Sequence, residues 1–535
     1  MNGHSASTDI VEEGPAAAPS GRSEGGAVRR ALTAIVLVGA TLRLLGLGAE
    51  PLWLDEAFSW RWAHLPLEEL WGAAARTETN PPLWFTLERW VMLALGDDEA
   101  ALRLPAAILG VAAVSLAFLV GRALAGHGAG LAAASMIATD PLLVAYSREA
   151  RGYTLLVCGA LLALWGAQEL LADPDRSERR EMRARRSLVA GTAYAAGTTL
   201  AVYAHNTGSL VPVLTVLGGF VRWLLYRRGE RPSLRPFLFA NGPPLLLGLV
   251  WLPVLVEQAA AASNVGWITQ PGPRWALVSW AGGFGPHFLG LPPVVAALFG
   301  LPVLLLAGLG LRRAGTASAV LLTFAVGGPL LVLGLGLLVR PLWLERVLLP
   351  YLAATLVLAA AGLAGRQWWP RAVPVLLALV LLPRAADTVA LHARSQKLAW
   401  PEVVRTVARA FRPGDEILIA PHVYHWPWAY YAARLGFDGA AVGLLVGGPP
   451  PPQAPRIEPV DRGLRLARPD ELGSLLEFRA RAWLLVYKRR GGDPGEILSR
   501  LARSGRLEPL ARFEGAWDRG ELELFLWLRT EPGPA

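Results

Sequence analysis

Long apolar runs recur through the first 395 residues, and they constrain the fold more than any other feature of the sequence. A helix of about 20 apolar residues spans the hydrocarbon core of a bilayer. The first run extends from about Ala31 to Leu47, and later runs lie at about 104–125, 129–145, 153–172, 187–204, 208–226, 236–256, 289–311, 317–339, 347–365 and 372–391. The sequence therefore predicts an α-helical multi-pass membrane protein with about eleven transmembrane helices.

The composition agrees with a membrane protein and argues against a nucleic-acid-binding one. Hydrophobic residues make up 53% of the 535 residues and charged residues only 17%, whereas soluble domains have about 25% charged residues. The net charge of +9 comes mainly from arginines in short connectors between apolar runs, so membrane topology explains it better than DNA binding. The lone cysteine, Cys158, lies inside an apolar run, which excludes a disulfide framework and a thiolate metal cluster.

The arginine distribution predicts how the chain is oriented. Cytoplasmic connectors carry an excess of Lys and Arg, and the arginine-rich connectors here are 173–186, 222–235, 312–313 and 365–371. We take the first run as a retained anchor that follows a disordered cytoplasmic tail, residues 1–28. The acidic segment 50–103 is then an outer loop, and its amphipathic piece Leu83–Leu95 is expected to lie flat at the interface.

The composition changes after about residue 395. Short apolar segments typical of strands begin at Glu416, Ala482 and Leu522, helical-looking stretches such as the one at Pro401 separate them, and a proline run covers Pro449–Pro452. We expect a C-terminal α/β domain on the outer face. The predicted domains are the tail 1–28, a transmembrane domain 29–394 that includes the outer loop 50–103, and an extracytoplasmic α/β domain 395–535.

The segment Pro51–Trp60, PLWLDEAFSW, carries adjacent carboxylates, Asp55 and Glu56, just outside the first predicted span. A carboxylate pair among aromatic side chains at a membrane boundary loses favourable solvation unless something compensates for it. This cost makes the pair a candidate functional site. The alternative is that both acids cap and solvate a short interfacial helix.

Four arginines break the charge rule because each lies at the outer end of a predicted span: Arg148, Arg151, Arg340 and Arg346. Clustered outer arginines need a partner. It could be a neighbouring carboxylate, such as Glu149 or Glu345, or it could be a phosphate, which accepts bidentate contacts from a guanidinium.

Further candidates lie at other outer span ends. Asn80, Pro81 and Pro82 form a bend or start a helix. Asp140 lies at the outer end of the third predicted span and could be a helix cap, and His205 is alone at its span end. Tyr146 and Glu149 belong to the segment YSREARGY. No group of His, Asp or Glu has recognisable metal-ligand spacing, a divalent cation is left open, and no phosphate-binding glycine loop is present.

Four motifs in one order resemble a known family: DE in the first outer loop, NPPLW, EAALRLPAAILGV at Glu99–Val111, and YSREARGY at Tyr146–Tyr153. The order is similar to that of the membrane-embedded GT-C glycosyltransferases of family 39. These include the protein O-mannosyltransferases and the bacterial enzymes that add aminoarabinose to lipid A. The resemblance covers roughly the first 210 residues, and ERVLLP at Glu345 more weakly.

The resemblance implies an enzyme that transfers a sugar from a polyprenyl-phosphate donor, with inversion, at the outer face of the plasma membrane. The acceptor would be a lipid, a glycan or a protein. Asp55, supported by Glu56, occupies the position of the family's acid near the acceptor, and the outer arginines would hold the donor phosphate. Some relatives carry His where this chain has Asn80, so acceptor details do not carry over. The alternatives are a transporter or flippase of polyprenyl-linked lipids or sugars and, less closely, a polysaccharide polymerase or ligase.

Overall fold

A computed structural model describes residues 21–78, 80–172, 179–226, 231, 233–260, 268–364, 372–394, 396–446, 465–488, 495–515 and 520–530. The first 20 residues of the predicted tail and the proline run lie outside this range. So do the whole arginine-rich connector 365–371 and parts of two others, at 173–178, 227–230 and 232. Helix α1 begins at Gly21, within the segment that the sequence assigns to the tail.

Within the described residues, the regular secondary structure of the membrane part is helical. Its helices are α1 (Gly21–Leu44), α2 (Leu54–Ala63), α3 (Leu67–Thr77), α4 (Leu83–Leu95), α5 (Glu99–Thr139), α6 (Pro141–Tyr146), α7 (Tyr153–Leu170), α8 (Arg180–Ala204), α9 (Leu210–Leu225), α10 (Arg235–Ala240), α11 (Gly242–Ala260), α12 (Pro273–Gly282), α13 (Pro293–Ala314), α14 (Ala319–Leu322), α15 (Gly328–Leu338), α16 (Glu345–Leu363) and α17 (Ala372–Ala393). A π-helical turn, Thr323–Gly327, joins α14 to α15.

Six helical segments in the described part of the chain are long and apolar enough to cross a membrane. They are Glu99–Thr139, Tyr153–Leu170, Asn206–Leu225, Arg235–Gln258, Pro293–Leu338 and Glu345–Leu363. The multi-pass helical fold is confirmed, while the number of about eleven spans stays a prediction. The difference arises partly because some of these segments contain two predicted spans each.

Helix α5 shows how one segment holds two spans. Ala125 and Gly126 leave the helical conformation, and Gly126 adopts a positive φ of 83°, which glycine tolerates because it lacks a Cβ. Beyond this break the chain packs back on itself, since a Cβ at Gly121 would lie 2.8 Å from the carbonyl oxygen of Ala129. The break falls where the sequence separates the predicted spans 104–125 and 129–145.

The outer loop folds into the three short helices α2, α3 and α4. Helix α4 has the bounds predicted from its amphipathic pattern, but it does more than lie at an interface. Trp84, Phe85 and Glu88 are buried on one of its faces, and Phe85 stacks on Trp62 of α2 with ring centroids 5.6 Å apart. The loop is therefore a packed layer over the ends of the spans.

The C-terminal part forms the predicted α/β domain. It contains α18 (Trp400–Ala410), α19 (His425–Arg434), α20 (Leu472–Leu476) and α21 (Gly495–Ser504), with β1 (Glu416–Ala420), β2 (Ala441–Leu444), β3 (Arg465–Ala467), β4 (Arg481–Lys488), β5 (Gly505–Gly515) and β6 (Gly520–Arg529). The sheet order is β3-β2-β1-β4-β6-β5. Strands β3, β2, β1 and β4 run parallel, and β6 pairs antiparallel with β4 and β5.

The two faces of the sheet have different neighbours. Helices α20 and α21 cover one face through Leu472 and Leu501, which share a core with strand residues. Helices α18 and α19 cover the other face, and the core on that side also includes Leu52, Leu102 and Ala150 of the membrane part. The α/β domain is therefore packed directly against the outer loop.

Candidate active site

The adjacent acids of the outer loop lie in the first turn of α2. The backbone N–H of Trp53, which precedes the helix, donates to Oε2 of Glu56 at 3.2 Å, an arrangement that caps a helix N-terminus. Negative charge in a first helical turn is also favoured by the helix dipole. Consecutive residues of an α-helix point about 100° apart, so Asp55 and Glu56 enter different surroundings.

Glu56 is fully buried and its carboxylate is saturated with donors. Oε1 accepts from Nε of Arg103 at 2.7 Å and from the backbone N–H of Ala150 at 3.1 Å. Oε2 accepts from Nη2 of Arg103 and from Nζ of Lys397, both at 2.8 Å. Burial disfavours the charge, but Arg103 and Lys397 outweigh burial and lower the pKa of Glu56 to about 2. These contacts give Glu56 a positioning role in place of the catalytic one considered from the sequence.

Asp55 keeps 23% of its side chain exposed. Its Oδ2 lies 3.3 Å from Nη1 of Arg346, at the start of α16. Arg151 also contacts α2, because its Nη1 donates to Oγ of Ser59 at 3.2 Å. The guanidinium carbons of Arg151 and Arg346 lie 5.8 and 5.7 Å from the ring of Tyr153. The structure thus brings one accessible carboxylate and two predicted phosphate-binding arginines to a single place.

The electrostatics of this group favour fixed positive charge. Burial opposes the charge of Arg151, but Tyr153, Asp55 and Glu78 outweigh it and raise the pKa of Arg151. Burial, together with Arg151, Arg346 and Arg340, lowers the pKa of His205 to about 3. His205 is therefore neutral near pH 7, and the cations beside it stay charged.

His205 also shapes the chain around it. Its Nδ1 accepts from the backbone N–H of Thr207 at 3.2 Å and starts the short 3₁₀ turn Asn206–Ser209. Arg340 lies on this side of the group, is half-buried, and donates to the carbonyl oxygen of Gln258 at 3.3 Å. Arg340 therefore acts on the same histidine as Arg151 and Arg346.

Arg148 does not join this group. Its guanidinium donates to the carbonyl oxygens of Leu45 at 2.6 Å and Gly46 at 2.9 Å, and more weakly to those of Leu42 and Arg43. These are carbonyls at the C-terminal end of α1, which lack partners within the helix. Arg148 therefore caps α1, and this contact replaces the phosphate contact expected from its sequence position.

Tyr146 and Glu149 lie behind the group. The ring of Tyr146 meets that of Tyr153 edge to face, with centroids 5.5 Å apart. Glu149 is buried, and its carboxylate has no hydrogen-bond partner within the described part of the chain. Burial is the main reason that the pKa of Glu149 is raised to about 8. Glu149 therefore carries a proton at neutral pH.

Asn80, Pro81 and Pro82 hold the loop ahead of α4. The carbonyl of Pro82 accepts the backbone N–H of Thr86 at 2.9 Å, so the paired prolines lead into a helix. The side-chain oxygen of Asn80 lies 3.5 Å from the backbone nitrogen of Asn206. The motif thus connects the outer loop to the turn that follows His205.

Asp140 has the structural role that the sequence offered as its alternative. Its Oδ1 accepts from the backbone N–H of Leu143 at 3.0 Å and caps α6. Its Oδ2 lies 3.0 Å from Nη2 of Arg384 on α17, and both side chains are buried. Asp140 thus joins two helices.

Sequence reasoning missed three contributors to the site. Arg103 counted only as one of the loop's charges, although an arginine at the start of an apolar run breaks the same charge rule as the others. Glu88 belongs to the amphipathic piece that the sequence predicts to lie flat at the interface, but it is fully buried and its pKa is raised by that burial. One feature of the sequence could have drawn attention to Lys397: it is one of only two lysines among 51 lysine and arginine residues. In the described residues no group of three or more His, Cys, Asp or Glu side chains is arranged to hold a metal ion.

A bundle of spans, an outer loop with a carboxylate facing two arginines, and an appended sheet domain define the class of the molecule: it has the GT-C fold of membrane glycosyltransferases. ArnT from Cupriavidus metallidurans in the apo state superposes with a TM-score of 0.60 at 12% identity, over 94% of this chain and 98% of that one. The same enzyme bound to undecaprenyl phosphate gives 0.57 at 13% identity, over 93% and 98%.

The archaeal oligosaccharyltransferase AglB from Archaeoglobus fulgidus, in complex with an inhibitory peptide and a dolichol-phosphate, gives 0.50 at 12% identity over 78% of this chain and 64% of that one. Residues 79–177 match the sequence family described as dolichyl-phosphate-mannose-protein mannosyltransferase. The sequence matches none of the curated proteins with which it was compared. The solved structures show that the chain has an ArnT-like fold, and residues 79–177 are similar to the mannosyltransferase family.

Proposed function

We propose that the protein transfers a sugar from a polyprenyl-phosphate donor to an acceptor hydroxyl at the outer face of the plasma membrane, with inversion at the anomeric carbon. The N-terminus would be cytoplasmic and the α/β domain extracytoplasmic. The acceptor is a lipid, a glycan or a protein. The enzymes of similar fold include one bound to undecaprenyl phosphate and one bound to a dolichol-phosphate, which supports a polyprenyl-phosphate ligand here.

One observation carries the proposal: Asp55 and Arg346 form a partly exposed ion pair at 3.3 Å, with Arg151 beside it. A general base and the cations for a leaving phosphate are therefore within reach of one bound donor. Arg346 and Asp55 keep 17% and 23% of their side chains exposed, so the pair is accessible from solvent. Its value lies in what it can exchange, because a donor phosphate can replace Asp55 as the partner of Arg346 and free the carboxylate.

The reaction follows from this exchange. The acceptor oxygen attacks the anomeric carbon as the carboxylate of Asp55 takes its proton. The bond between the anomeric carbon and the phosphate oxygen breaks, and the polyprenyl phosphate leaves with its negative charge stabilised by Arg151 and Arg346. Arg340 lies on the His205 side of this group and would hold the phosphate as it enters or leaves. A single displacement of this kind inverts the anomeric configuration.

Asp55→Asn tests the proposal. The variant should lose about 10²–10⁴-fold in transfer rate while it binds polyprenyl phosphate at least as well as the parent, since Arg346 loses a competing carboxylate. The assay uses purified protein in lipid nanodiscs with a set of polyprenyl-phosphate sugars and follows the sugar by mass spectrometry. Glu68→Gln is the matched control, because Glu68 is an exposed acid of the same loop.

Two outcomes would reject the assignment. Full transfer activity in Asp55→Asn would remove the base from this site. If the parent protein transfers no sugar but moves polyprenyl-linked sugars across sealed vesicles, the chain is a transporter.

A further inference from the structure

The segment that leads from α17 into the α/β domain is tied to the outer loop at its backbone. The carboxylate of Glu50, four residues before α2, accepts the backbone N–H groups of Gln396 and Lys397 at 3.0 Å. Hydrogen bonds to a charged acceptor are stronger than neutral ones. The start of the α/β domain is therefore fixed relative to the start of the outer loop.

Lys397 extends this connection into the site. Its side chain is buried, and its Nζ lies 2.8 Å from Oε2 of Glu56. Glu56 in turn binds Arg103 of α5 and the backbone of Ala150, in the segment that carries Arg151. The carboxylate of Glu56 thus connects α2 with α5, with the segment that carries Arg151, and with the α/β domain.

Helix α19 holds α2 and the residues around it from the α/β domain. The ring of Trp426 lies 4.6 Å from that of Phe58, and Tyr430 meets Trp60 at 5.1 Å. The hydroxyl of Tyr431 accepts the backbone N–H of Leu52 at 2.7 Å. The α/β domain therefore contacts both the part of the outer loop that precedes α2 and α2 itself.

We propose that Lys397 is a positioning residue for sugar transfer, and that through it the α/β domain holds α2 in the orientation that aims Asp55 at the acceptor. This inference rests on the proposed function. Helix α2 has only ten residues, and isolated helices of that length are marginal in water. Its orientation must come from tertiary contacts, and Glu56, next to Asp55 in the chain, accepts hydrogen bonds from Arg103, Ala150 and Lys397.

The choice of lysine fits this role. Arg103 already holds both oxygens of Glu56 with a planar guanidinium, so the remaining space beside Oε2 suits a compact ammonium on a flexible stem. Burial, with Arg103 close by, lowers the pKa of Lys397, and Glu56 supplies the compensating charge. Without the ammonium, Glu56 keeps Arg103 but loses its connection to the α/β domain.

The test compares Lys397→Met with Lys488→Met. Lys488 is the other lysine of the chain; its Nζ pairs with Glu523, it is 43% exposed, and it lies at the end of β4 within the α/β domain. In Lys397→Met we expect kcat to fall about tenfold or more while the KM for the donor changes less than twofold. Lys397→Arg, which restores the charge and the N–H donors, should regain part of kcat. Lys488→Met should behave as the parent.

A second measurement does not depend on activity. Hydrogen exchange followed by mass spectrometry should show faster exchange in peptides that cover 54–63 and 147–152 of Lys397→Met, with no change in those peptides of Lys488→Met. Glu50→Gln weakens the connection at the backbone and leaves the ammonium in place, so it should shift the same peptides in the same direction by a smaller amount. This variant keeps the proposal testable if Lys397→Met fails to fold.

The outcomes separate the two proposals. Unchanged exchange in 54–63 for both Lys397→Met and Glu50→Gln overturns the positioning role, whatever the activity. Equal losses of kcat and donor binding in Lys397→Met, with no recovery in Lys397→Arg, also overturn it, because they indicate a general loss of structure. Absence of transfer by the parent protein counts against the proposed function and leaves the exchange result to decide on the connection.

Discussion

Asp55 and Glu56 are adjacent in the chain, yet their surroundings assign them different roles. Within the described residues both oxygens of Glu56 accept hydrogen bonds, and despite burial Arg103 and Lys397 lower the pKa of Glu56 to about 2. The carboxylate of Asp55 pairs with Arg346 and stays partly exposed. Under the proposed function a base must be accessible and must exchange its partner when substrate arrives, and Asp55 fits these conditions better than Glu56.

Arg346→Ala should weaken the binding of polyprenyl phosphate. The loss of one hydrogen bond between charged groups is worth about 1.5–3 kcal/mol, and Arg346→Lys should also bind more weakly if the contact is bidentate. Titration of the purified protein with polyprenyl phosphate measures both. Arg313→Ala, at an exposed arginine of α13, is the control, and unchanged affinity in both Arg346→Ala and Arg151→Ala would leave these arginines as partners of protein carboxylates alone.

Glu149→Gln should change how stability depends on pH. The pKa of Glu149 is raised from 4.5 to about 8 in the folded protein, so the folded state binds this proton more tightly than the unfolded state. The contribution of Glu149 to stability is full below about pH 4.5 and is lost as the pH rises to about 8. Glutamine resembles the protonated acid and loses nothing over that range.

We therefore expect the melting temperatures of the parent and Glu149→Gln to be similar at pH 5 and to diverge towards pH 8, with the variant the more stable. Thermal unfolding in detergent across this range is the measurement. A constant gap would show that Glu149 keeps the same protonation state in the folded and unfolded protein. The neighbouring charged groups, Lys397, Glu56, Asp55 and Arg346, are unchanged in both proteins.

At the scale of elements, arginines at span ends do two different kinds of work. Arg151 and Arg346 contact Asp55, whereas Arg148 donates hydrogen bonds to carbonyl oxygens at the end of α1. Both uses answer the same physical problem, since a guanidinium near the membrane and an exposed helix end each need a partner. Position in the sequence does not distinguish them, because Arg148 and Arg151 lie three residues apart.

Arg148→Met should destabilise the protein without affecting the donor. We expect a loss of about 1.5 kcal/mol, the lower end of the range for hydrogen bonds to a charged group, because the guanidinium is partly exposed. The melting temperature should fall, and the affinity for polyprenyl phosphate should match that of the parent. Arg405→Met, at an exposed position of α18, controls for loss of a charge. Weakened donor binding in Arg148→Met would instead support the prediction from the sequence that Arg148 contacts the donor phosphate.

At the scale of the whole molecule, the α/β domain and the outer loop share one hydrophobic core. Leu52 and Leu102 pack in the same cluster as Trp400 and Tyr430. A boundary near residue 395 divides the chain but does not divide this core. Helix α2, which carries Asp55, is therefore enclosed between the spans and the α/β domain.

Labelling with a membrane-impermeant maleimide should place the α/β domain and the connector before α8 on opposite sides of the membrane. Cys158 is the only cysteine and is buried, so Cys158→Ser gives a background for single cysteines at Arg180→Cys and Arg503→Cys. In sealed vesicles with the native orientation, we expect label at position 503 and none at 180 until the membrane is permeabilised. Labelling of both from one side would overturn the predicted topology.

The sequence by itself determined the features that depend on local pattern. The length of an apolar run sets whether a helix can span a bilayer, and periodicity sets helix or strand, so the multi-pass helical fold, the bounds of α4 and the three strands at Glu416, Ala482 and Leu522 could be predicted. The order of four motifs pointed to the GT-C class. None of these inferences needs to know which distant segments meet.

Only the tertiary structure decided how the polar residues divide their roles. Whether Asp55 or Glu56 stays accessible depends on which residues pack on each side of α2. One of the residues that contact Glu56, Lys397, is 341 residues away in the sequence. Arg148 and Arg151 separate for the same reason. An ionisable side chain takes its role from the charges, hydrogen-bond donors and solvent that the folded chain places around it, and a linear pattern does not contain these contacts.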